Sequence, residues 1–559
     1  MSQYIGEIKE TLHKATGLGT EEIALEVPKN PEYGDYAFPC FILAKRLKKR
    51  PDEIAIGLAS KMHASGNITE IAAAGPYLNF KVNKSGLAAD IIAEILKKKD
   101  QFGSNGLGKG KNALIEHTSV NPNASPHVGR ARNAMIGDSL ARILRFEKYK
   151  VEVHYFVNDV GKQIAMLAIG CRDRKNVDFK SLLDIYVQMS GEMEKNPEIE
   201  KEIFAMLKKI EEGDKKTKDE FEKVVEICID GQKKIFSEFG IEYGHFDHES
   251  KYLRSKKTAE TLGKLEKTGR LFTDEENRKV LDLKGFDIPM ENPVLVLTRA
   301  DGTSLYPLRD LTYHLEKAEK SENNFVVLGE DHKLYYQQIQ ASMKLLGIEA
   351  PKVVHYSFVL LNEGKMSTRK GNIVLLEEFM EEARKKAEQE IRKRHGEVAH
   401  IAELSRAIGY GAVKYAILKV SPEKNVNFDW DSALSFEGDT GPYIQYSHAR
   451  IASILAKHGK KPKSDIDAKL LTQKEEAAIV TKLAAFNETI SKACEDLKPH
   501  IIAGYASELA QRLNEFYHNC PILQADGKTM EARLALALSV KHALKTCLNL
   551  LGIEAPEKM

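Results

Sequence analysis

The sequence predicts an α/β protein whose core is a parallel sheet, ending in an almost wholly helical region. Three observations carry this. The stretch 113–159 runs from an apolar strand, ALIEHTSV, through a turn, NPNASPHVGR, to ARNAMIGDSLARILRF with apolar residues at helical spacing and the alternating strand KVEVHYFVND. Strand, turn, helix and strand in that order open a parallel βαβ unit. Strand-like VLVLT (294–298), FVVLG (325–329) and VVHYSFVLL (353–361) then resume the sheet, and SDIDAKLLTQ (464–473) leads into a helical pattern that persists to the end.

The other elements follow in order. Residues 1–100 mix helical patterns with one strand-like piece, GPYLNFKV (75–82), and QFGSNGLGKGKN (101–112) reads as a linker because it crowds glycine and asparagine between apolar runs. Residues 160–240 are rich in Lys and Glu, helical in pattern and look inserted, and 374–420 is helical again. At 559 residues the chain is too long for one ordinary core and holds about three or four domains. No internal repeat or low-complexity tract is visible.

Composition excludes several classes. With 42% hydrophobic and 29% charged residues the chain is globular rather than disordered. A net charge of +2 excludes histone-like wrapping and a polybasic membrane binder, but leaves room for local nucleic-acid patches. The start, MSQYIGEIKETLHKA, is no signal peptide, and no run approaches the roughly 18 apolar residues of a spanning helix. Six scattered cysteines without a CxxC are too few for a disulfide scaffold and wrongly spaced for a structural zinc, so no structural zinc and a cytoplasmic enzyme with no membrane partner are expected.

Two motifs carry chemistry. Pro126-His127-Val128-Gly129-Arg130 sits at a strand-to-helix turn, where backbone N–H groups and the helix dipole favour anions. His127 can donate to a phosphate, Gly129 admits a nucleotide close to the backbone, and Arg130 and Arg132 add cations. Taken alone, the segment is equally a helix start with two surface arginines. The second motif, Glu363-Gly364-Lys365-Met366-Ser367-Thr368-Arg369-Lys370-Gly371-Asn372, sets three cations and two hydroxyls in a glycine-flanked loop suited to polyphosphate. Alone it is more simply a solvated basic hairpin. Its pairing with the HxG turn across one parallel sheet points to a nucleotide.

These two motifs resemble the His-x-Gly-His and Lys-Met-Ser-Lys-Ser motifs of class I aminoacyl-tRNA synthetases. More narrowly, the chain is similar to arginyl-tRNA synthetases over nearly its whole length. PKNPEYGDYAFPCFILAKRLKKRPDEI resembles that family's GDYA-centred N-terminal segment, and SFEGDTGPYIQYSHARI (435–451) its GPYxQYxHAR stretch. NEFYHNCPIL and RLALALSVKHALKTCLNLLGIEAPEKM resemble its helical anticodon-binding domain.

The resemblance implies a class I Rossmann-type parallel-sheet catalytic domain with an inserted domain, a small α+β N-terminal domain and an all-α C-terminal anticodon-binding domain. The expected bounds are 1–105 for a tRNA-elbow-binding domain, 106–435 for the catalytic domain and 436–559 for the anticodon-binding domain. Within the catalytic domain the insertion is expected at about 160–290 and stem-contact helices at about 372–435. The implied activity is arginine–tRNA ligase: ATP activates L-arginine to arginyl-adenylate, and the arginyl group passes to the 3′-terminal adenosine of tRNA-Arg. Magnesium travels with ATP, no metal cage is needed, and a monomer is expected.

Site residues follow by resemblance. His127, Arg130, Lys365, Ser367, Arg369 and Lys370 are the catalytic set, and His127, Gly129, Lys365, Met366 and Ser367 hold ATP. Arg130 stands where the family has a second histidine, and Thr368 where it has a second lysine, a charge that Arg369 or Lys370 supplies instead. A planar guanidinium asks for carboxylates in a fork. Tyr306-Pro307-Leu308-Arg309-Asp310 is similar to the family's Tyr-x-x-Arg-Asp, which assigns Tyr306 and Asp310 to the substrate side chain, although a carboxylate at the start of a helix over 308–318 can simply cap it. Glu116 and Asn121, eleven and six residues before His127, match further arginine contacts, and Asp331 and His332 of Glu330-Asp331-His332 close a strand at the sheet's carboxyl edge. Basic patches at 45–50, 384–394 and 457–463 are candidates for RNA, each equally a solvated helix face, and Tyr446 is the preferred stacking residue. Among rivals, a cysteinyl-tRNA synthetase lacks its zinc ligands here, and a small HxGH nucleotidyltransferase lacks the flanking domains. The KMSTRKGN and YxxRD segments argue against an inactive tRNA-binding paralogue.

Overall fold

The computed structural model describes residues 2–26, 28, 30, 32–361, 374–396 and 398–559. Its centre is a five-stranded parallel sheet of β1 (Asn112–Glu116), β2 (Lys150–Val157), β3 (His245–His248), β4 (Asn323–Gly329) and β5 (Lys352–Tyr356), in the spatial order β5–β4–β1–β2–β3. Ala113–Glu116 and Phe325–Val327 are buried, as the middle strands of a sheet covered on both faces must be.

Helix α1 (Val128–Phe146) follows β1 and starts at the HxG turn, three residues before the apolar periodicity begins. Asn133 ties it to two strands. Its Oδ1 accepts from the Thr118 N–H at 2.7 Å, just past β1, and its Nδ2 donates to the Val327 carbonyl of β4 at 2.9 Å. Gly137 lets the helix come close: a Cβ there would sit 2.1–2.5 Å from ring atoms of the buried His117. Arg132 is fully buried, so it adds no cation to a phosphate site. It donates to the carbonyls of Ser357 at 2.6 Å and Ser421 at 3.0 Å, holding the chain beyond β5 to a distant loop.

Two strand expectations need correction. Val294–Val296, in the VLVLT run, pairs antiparallel with Lys279–Asp282 in a separate three-stranded sheet with Leu271–Thr273. The parallel sheet's edge is instead β3, His-Phe-Asp-His, inside the 160–290 stretch read as inserted. Its polar sequence carries no apolar run, because an edge strand needs little burial. The inserted helices Lys162–Cys171, Phe179–Lys195, Pro197–Glu212 and Lys215–Glu238 lie between β2 and β3. VVHYSFVLL breaks in two: β5 ends at Tyr356, and Val359–Leu361 pairs in parallel with Val426–Phe428.

The flanking domains follow expectation. The N-terminal one packs the antiparallel strands Tyr36–Pro39, Ile68–Ala74 and Tyr77–Val82 with the helices Ser2–Thr16, Pro51–Lys61 and Lys84–Lys98. The C-terminal one is built of Gly441–His458, Lys474–Ala484, Phe486–Glu495, His500–Asn519 and Gly527–Leu550. The glycine-rich connection between the N-terminal domain and β1 is packed. Glu147, buried at the end of α1, accepts with Oε2 from the backbone N–H groups of Asn105, Gly106 and Leu107 at 3.0, 2.8 and 3.3 Å. Phe102 stacks on Phe486 at 5.7 Å, and Asn105 donates to the Ser491 hydroxyl at 2.7 Å. Asp100 accepts from His542 and Lys545, each at 3.0 Å. Among the described residues no helix is long and apolar enough to cross a membrane.

Gly137→Ala tests the close approach. Helix propensity alone favours alanine by about 1 kcal/mol, whereas overpacking costs about 1–3 kcal/mol. With His117 in the way, the melting temperature is expected to fall; a rise would show that the contact yields freely.

Candidate active site

His127 occupies the cap position of α1 in extended backbone, and its side chain makes no capping bond. Burial, then the charge of Arg130, pushes its pKa down to about 4, so at neutral pH the imidazole is uncharged. The ring lies over Gly129, where a Cβ would come within 3.1 Å of Cε1 and Nδ1. Arg130 is half-buried and its side chain makes no hydrogen bond or ion pair among the described residues, which leaves a cation available at the start of α1. The Val128 N–H donates to the Val374 carbonyl at 3.1 Å and the Leu376 N–H to the Pro126 carbonyl at 2.8 Å. The chain leaving the basic loop is thus pinned directly on the HxG turn. Lys365, Met366, Ser367, Thr368, Arg369 and Lys370 themselves lie outside the described residues.

A second cluster lies on α2 (Tyr306–Lys320), which begins with Leu305 as its cap and Pro307 in its first turn. Asp310 stands past that turn and caps nothing: its Oδ2 accepts from the Tyr335 hydroxyl at 2.8 Å. One face of α2 presents Tyr306, Asp310, Tyr313, His314 and Lys317, the spacing of a helix stripe. Lys317, 1% exposed, donates to Glu116 at the end of β1 and lies 4.3 Å from the centre of the Tyr313 ring. Arg309 donates through Nε to Glu249 Oε1 at 2.7 Å, while the buried Glu249 Oε2 has no partner.

Electrostatics separate these carboxylates. Glu116 has Lys317 and Glu249 has Arg309, but Asp310 has only a hydroxyl. Burial, and next the charge of Glu116, pushes the Asp310 carboxyl up to about 7; the Tyr335 hydrogen bond and Lys317 act against this, and Glu249 adds to it. Burial also raises Glu249, against the pull of Arg309. His314 has Nε2 3.6 Å from Asp310 Oδ1, yet burial and the charge of Lys317 hold it neutral, so it supplies no counter-charge. Of the three carboxylates Glu116, Glu249 and Asp310, two therefore have a buried cation and the third has none. Asp310 is thus left a buried carboxylate without a counter-charge, an environment that favours a ligand cation.

Glu116, Tyr306 and Asp310 are brought together, each carboxylate raising the Tyr306 hydroxyl pKa after burial has done so first. Asn121 is not: it is exposed, and its amide donates to Gln163 of the inserted helices at 3.1 Å. Asp331 and His332 are exposed on a short turn after β4, 3.7 Å from each other, and neither contacts Asp310. Tyr335, one helical turn on, reaches it instead. Glu249, Lys317 and Tyr335 are functional candidates that sequence reasoning missed; only Lys317 had a signal, lying seven residues from Asp310 on the same helix face. Away from this site, Tyr446 lines a cleft of ≈ 700 Å³ with Arg394, Phe436, Tyr443, Arg450 and His518. The Arg450 guanidinium lies between the rings of Tyr446 and Tyr517, at 4.7 and 4.9 Å.

Lys317→Met leaves Glu116 buried and unpaired, an expected loss of about 3–5 kcal/mol read in denaturant unfolding. Adding Glu116→Gln should recover much of it. No recovery would mean that the loss comes from packing rather than charge.

Comparison with known proteins fits this geometry. The model for class I (R) tRNA synthetase catalytic domains matches residues 91–430, the arginyl-tRNA synthetase N-terminal domain model matches 2–82, and the DALR anticodon-binding domain model matches 444–559. The arginine–tRNA ligase of Methanocaldococcus jannaschii is 38% identical over 100% of this chain and 99% of its own length. That of Methanosarcina barkeri is 38% identical over 99% and 98%. The arginyl-tRNA synthetase structure from Thermus thermophilus superposes with a TM-score of 0.86 at 28% identity, over 99% of both chains. Matched along its length by all three domain models, the chain belongs to the arginyl-tRNA synthetase family, within class I.

Proposed function

We propose that the chain is an arginine–tRNA ligase whose amino-acid site is the charge-deficient carboxylate cluster. The observation that carries this reading is Asp310: a buried carboxylate with no cation of its own, beside the orphaned Glu249 oxygen. A guanidinium is permanently charged, planar and forked, and it satisfies two such acceptors at once. Tyr306 supplies the flat wall, and Tyr335 fixes one Asp310 oxygen so that the other is presented. Glu116, already paired with Lys317, shapes the site's field rather than forming its primary contact. Asn121, Asp331 and His332 are secondary candidates that would need to move.

The chemistry is positioning and charge stabilisation. An arginine carboxylate oxygen attacks the α-phosphorus of ATP, and pyrophosphate leaves with the broken bond's electron pair. The terminal ribose hydroxyl of tRNA-Arg then attacks the activated carbonyl, releasing AMP and a proton. Neutral His127 is able to donate to a phosphate oxygen, Gly129 admits the adenosine, and Arg130 supplies charge in place of the family's second histidine. By family resemblance Lys365, Ser367, Arg369 and Lys370 add charge and hydroxyl to the phosphates, and Met366 borders the nucleotide. Magnesium enters on the ATP phosphates. The N-terminal domain serves the tRNA elbow, residues about 372–435 contact a tRNA stem, and the C-terminal helices serve the anticodon. There the Tyr446–Arg450–Tyr517 stack offers a platform for an unpaired base. The working form is a cytoplasmic monomer.

ATP–pyrophosphate exchange with each amino acid, with and without tRNA, tests the assignment. Exchange with arginine that requires tRNA is expected; exchange with another amino acid would overturn it. The Asp310 carboxyl gives a second test, because only its ionised form pairs with a guanidinium. The KM for arginine should fall as pH rises through about 7, and Tyr335→Phe, which removes a bond that holds the pKa down, should move that midpoint upward. The stability of the ligand-free protein has the opposite sign. The folded state keeps the proton more tightly than the unfolded chain, so Asp310's contribution declines from about pH 4 to about pH 7. A KM profile flat from pH 6 to 8 would remove Asp310 from the pocket.

A further inference from the structure

Beside the arginine site, the same row of the sheet carries a second group of ligand-type side chains. Glu116 of β1 is the register partner of His154 of β2, which in turn faces His245 of β3. Glu152 and His154, two residues apart on one strand, project to the same face. Glu152 Oε2 lies 3.3 Å from His154 Nε2 and 3.7 Å from His245 Nε2, and donor atoms of all three residues lie within 4.8 Å of one another. Donors around a tetrahedral zinc, with bonds of about 2.1 Å, stand roughly 3.4 Å apart.

The proton arrangement carries the argument further. His154, 1% exposed, has Nδ1 2.6 Å from Asp247 Oδ2, which also accepts from the Tyr313 hydroxyl at 3.0 Å. A carboxylate only accepts, so Nδ1 carries the ring's proton. In the neutral imidazole Nε2 then presents a lone pair to another carboxylate, Glu152, at 3.3 Å. Two acceptors face each other, and the contact needs a cation between them: a second ring proton or a metal ion. The stacked His245 ring, 4.4 Å from that of His154, brings a third donor to the same point. Asp247 behind His154 makes the carboxylate–histidine arrangement that orients metal-binding imidazoles. Glu152 and His245 are about half exposed, which leaves an entry path and a position for water.

We propose that Glu152, His154 and His245 bind one divalent transition ion of the zinc type, with Asp247 orienting His154. Two carboxylates and two neutral imidazoles balance one divalent charge. The ion bridges β2 to the four-residue edge strand β3, and through Asp247 and Tyr313 it braces the helix that carries Asp310. It takes no part in bond making. Cysteine spacing gives no hint of it, because no cysteine is involved.

The test is titration of zinc(II) alone into the chelator-stripped full-length protein, untagged, in competition with a chromophoric chelator. One ion per chain is expected, with binding weakened at least tenfold by His245→Ala and by Glu152→Gln, and about 10–100-fold by Asp247→Asn. Zinc should raise the melting temperature of the parent protein but not of His245→Ala. Because the Glu152 and His245 side chains are exposed, these two variants should melt with the metal-free parent. Cobalt(II) should give the visible bands of a four-coordinate nitrogen/oxygen site. No binding, affinity within twofold of the parent in both surface variants, or a thiolate charge-transfer band would overturn the site and leave His154 to its second proton. None of these outcomes touches the arginine assignment, which exchange tests separately.

Discussion

A carboxylate taken out of water needs a cation, and along one helix this chain buries a carboxylate, Asp310, for which it supplies none. Lys317 answers Glu116 and Arg309 answers Glu249, both from the helix that also carries Asp310. These pairs set how that helix lies against β1 and against the turn holding Glu249. They also make the third carboxylate intelligible. Its raised pKa is the response of a site built for a charge that arrives from outside. The same constraint governs the neighbouring strands, where His154 stands between two carboxylates.

The HxG turn is positioned by different means. Asn133 ties α1 to the ends of β1 and β4, and Gly137 lets it close on His117. The backbone of Pro126–Val128 is bonded to that of Val374–Leu376. The HxG turn and the chain that follows the basic loop, well over two hundred residues apart, are thus joined through main chain. In the proposed reaction, neutral His127 would offer a directional donor and Arg130 a charge.

Much of this was legible in the sequence where burial and periodicity coincide. The first strand, α1, β2 and the C-terminal bundle all carry apolar patterns that match the elements found. Legibility failed where a strand's apolar content does not report its partner. His245–His248 is too polar to be noticed, and Val294–Val296 is apolar for a small sheet of its own. Arg132 looked like a phosphate cation, and only the fold shows that carbonyls surround it. In the site, Tyr306 and Asp310 were readable from one motif on one helix. Glu249 and Tyr335 come from other elements, and nothing in one dimension brings them to Asp310.

The glycine-rich segment before β1 has a composition that suggests a tether, yet it is a joint. Glu147 clamps three successive amides, Phe102 stacks on the C-terminal domain, and Gly103, at φ +109°, has no room for a side chain beside Phe486. Asp100 adds bonds to the last long helix. The first and last domains are therefore mounted on one keystone wedged against the catalytic core. Two modules on a loose string would search for their ends of an RNA independently. These two are set at a separation fixed by the protein itself, so under the proposed tRNA reading they would form a caliper whose opening exists before any RNA is measured against it.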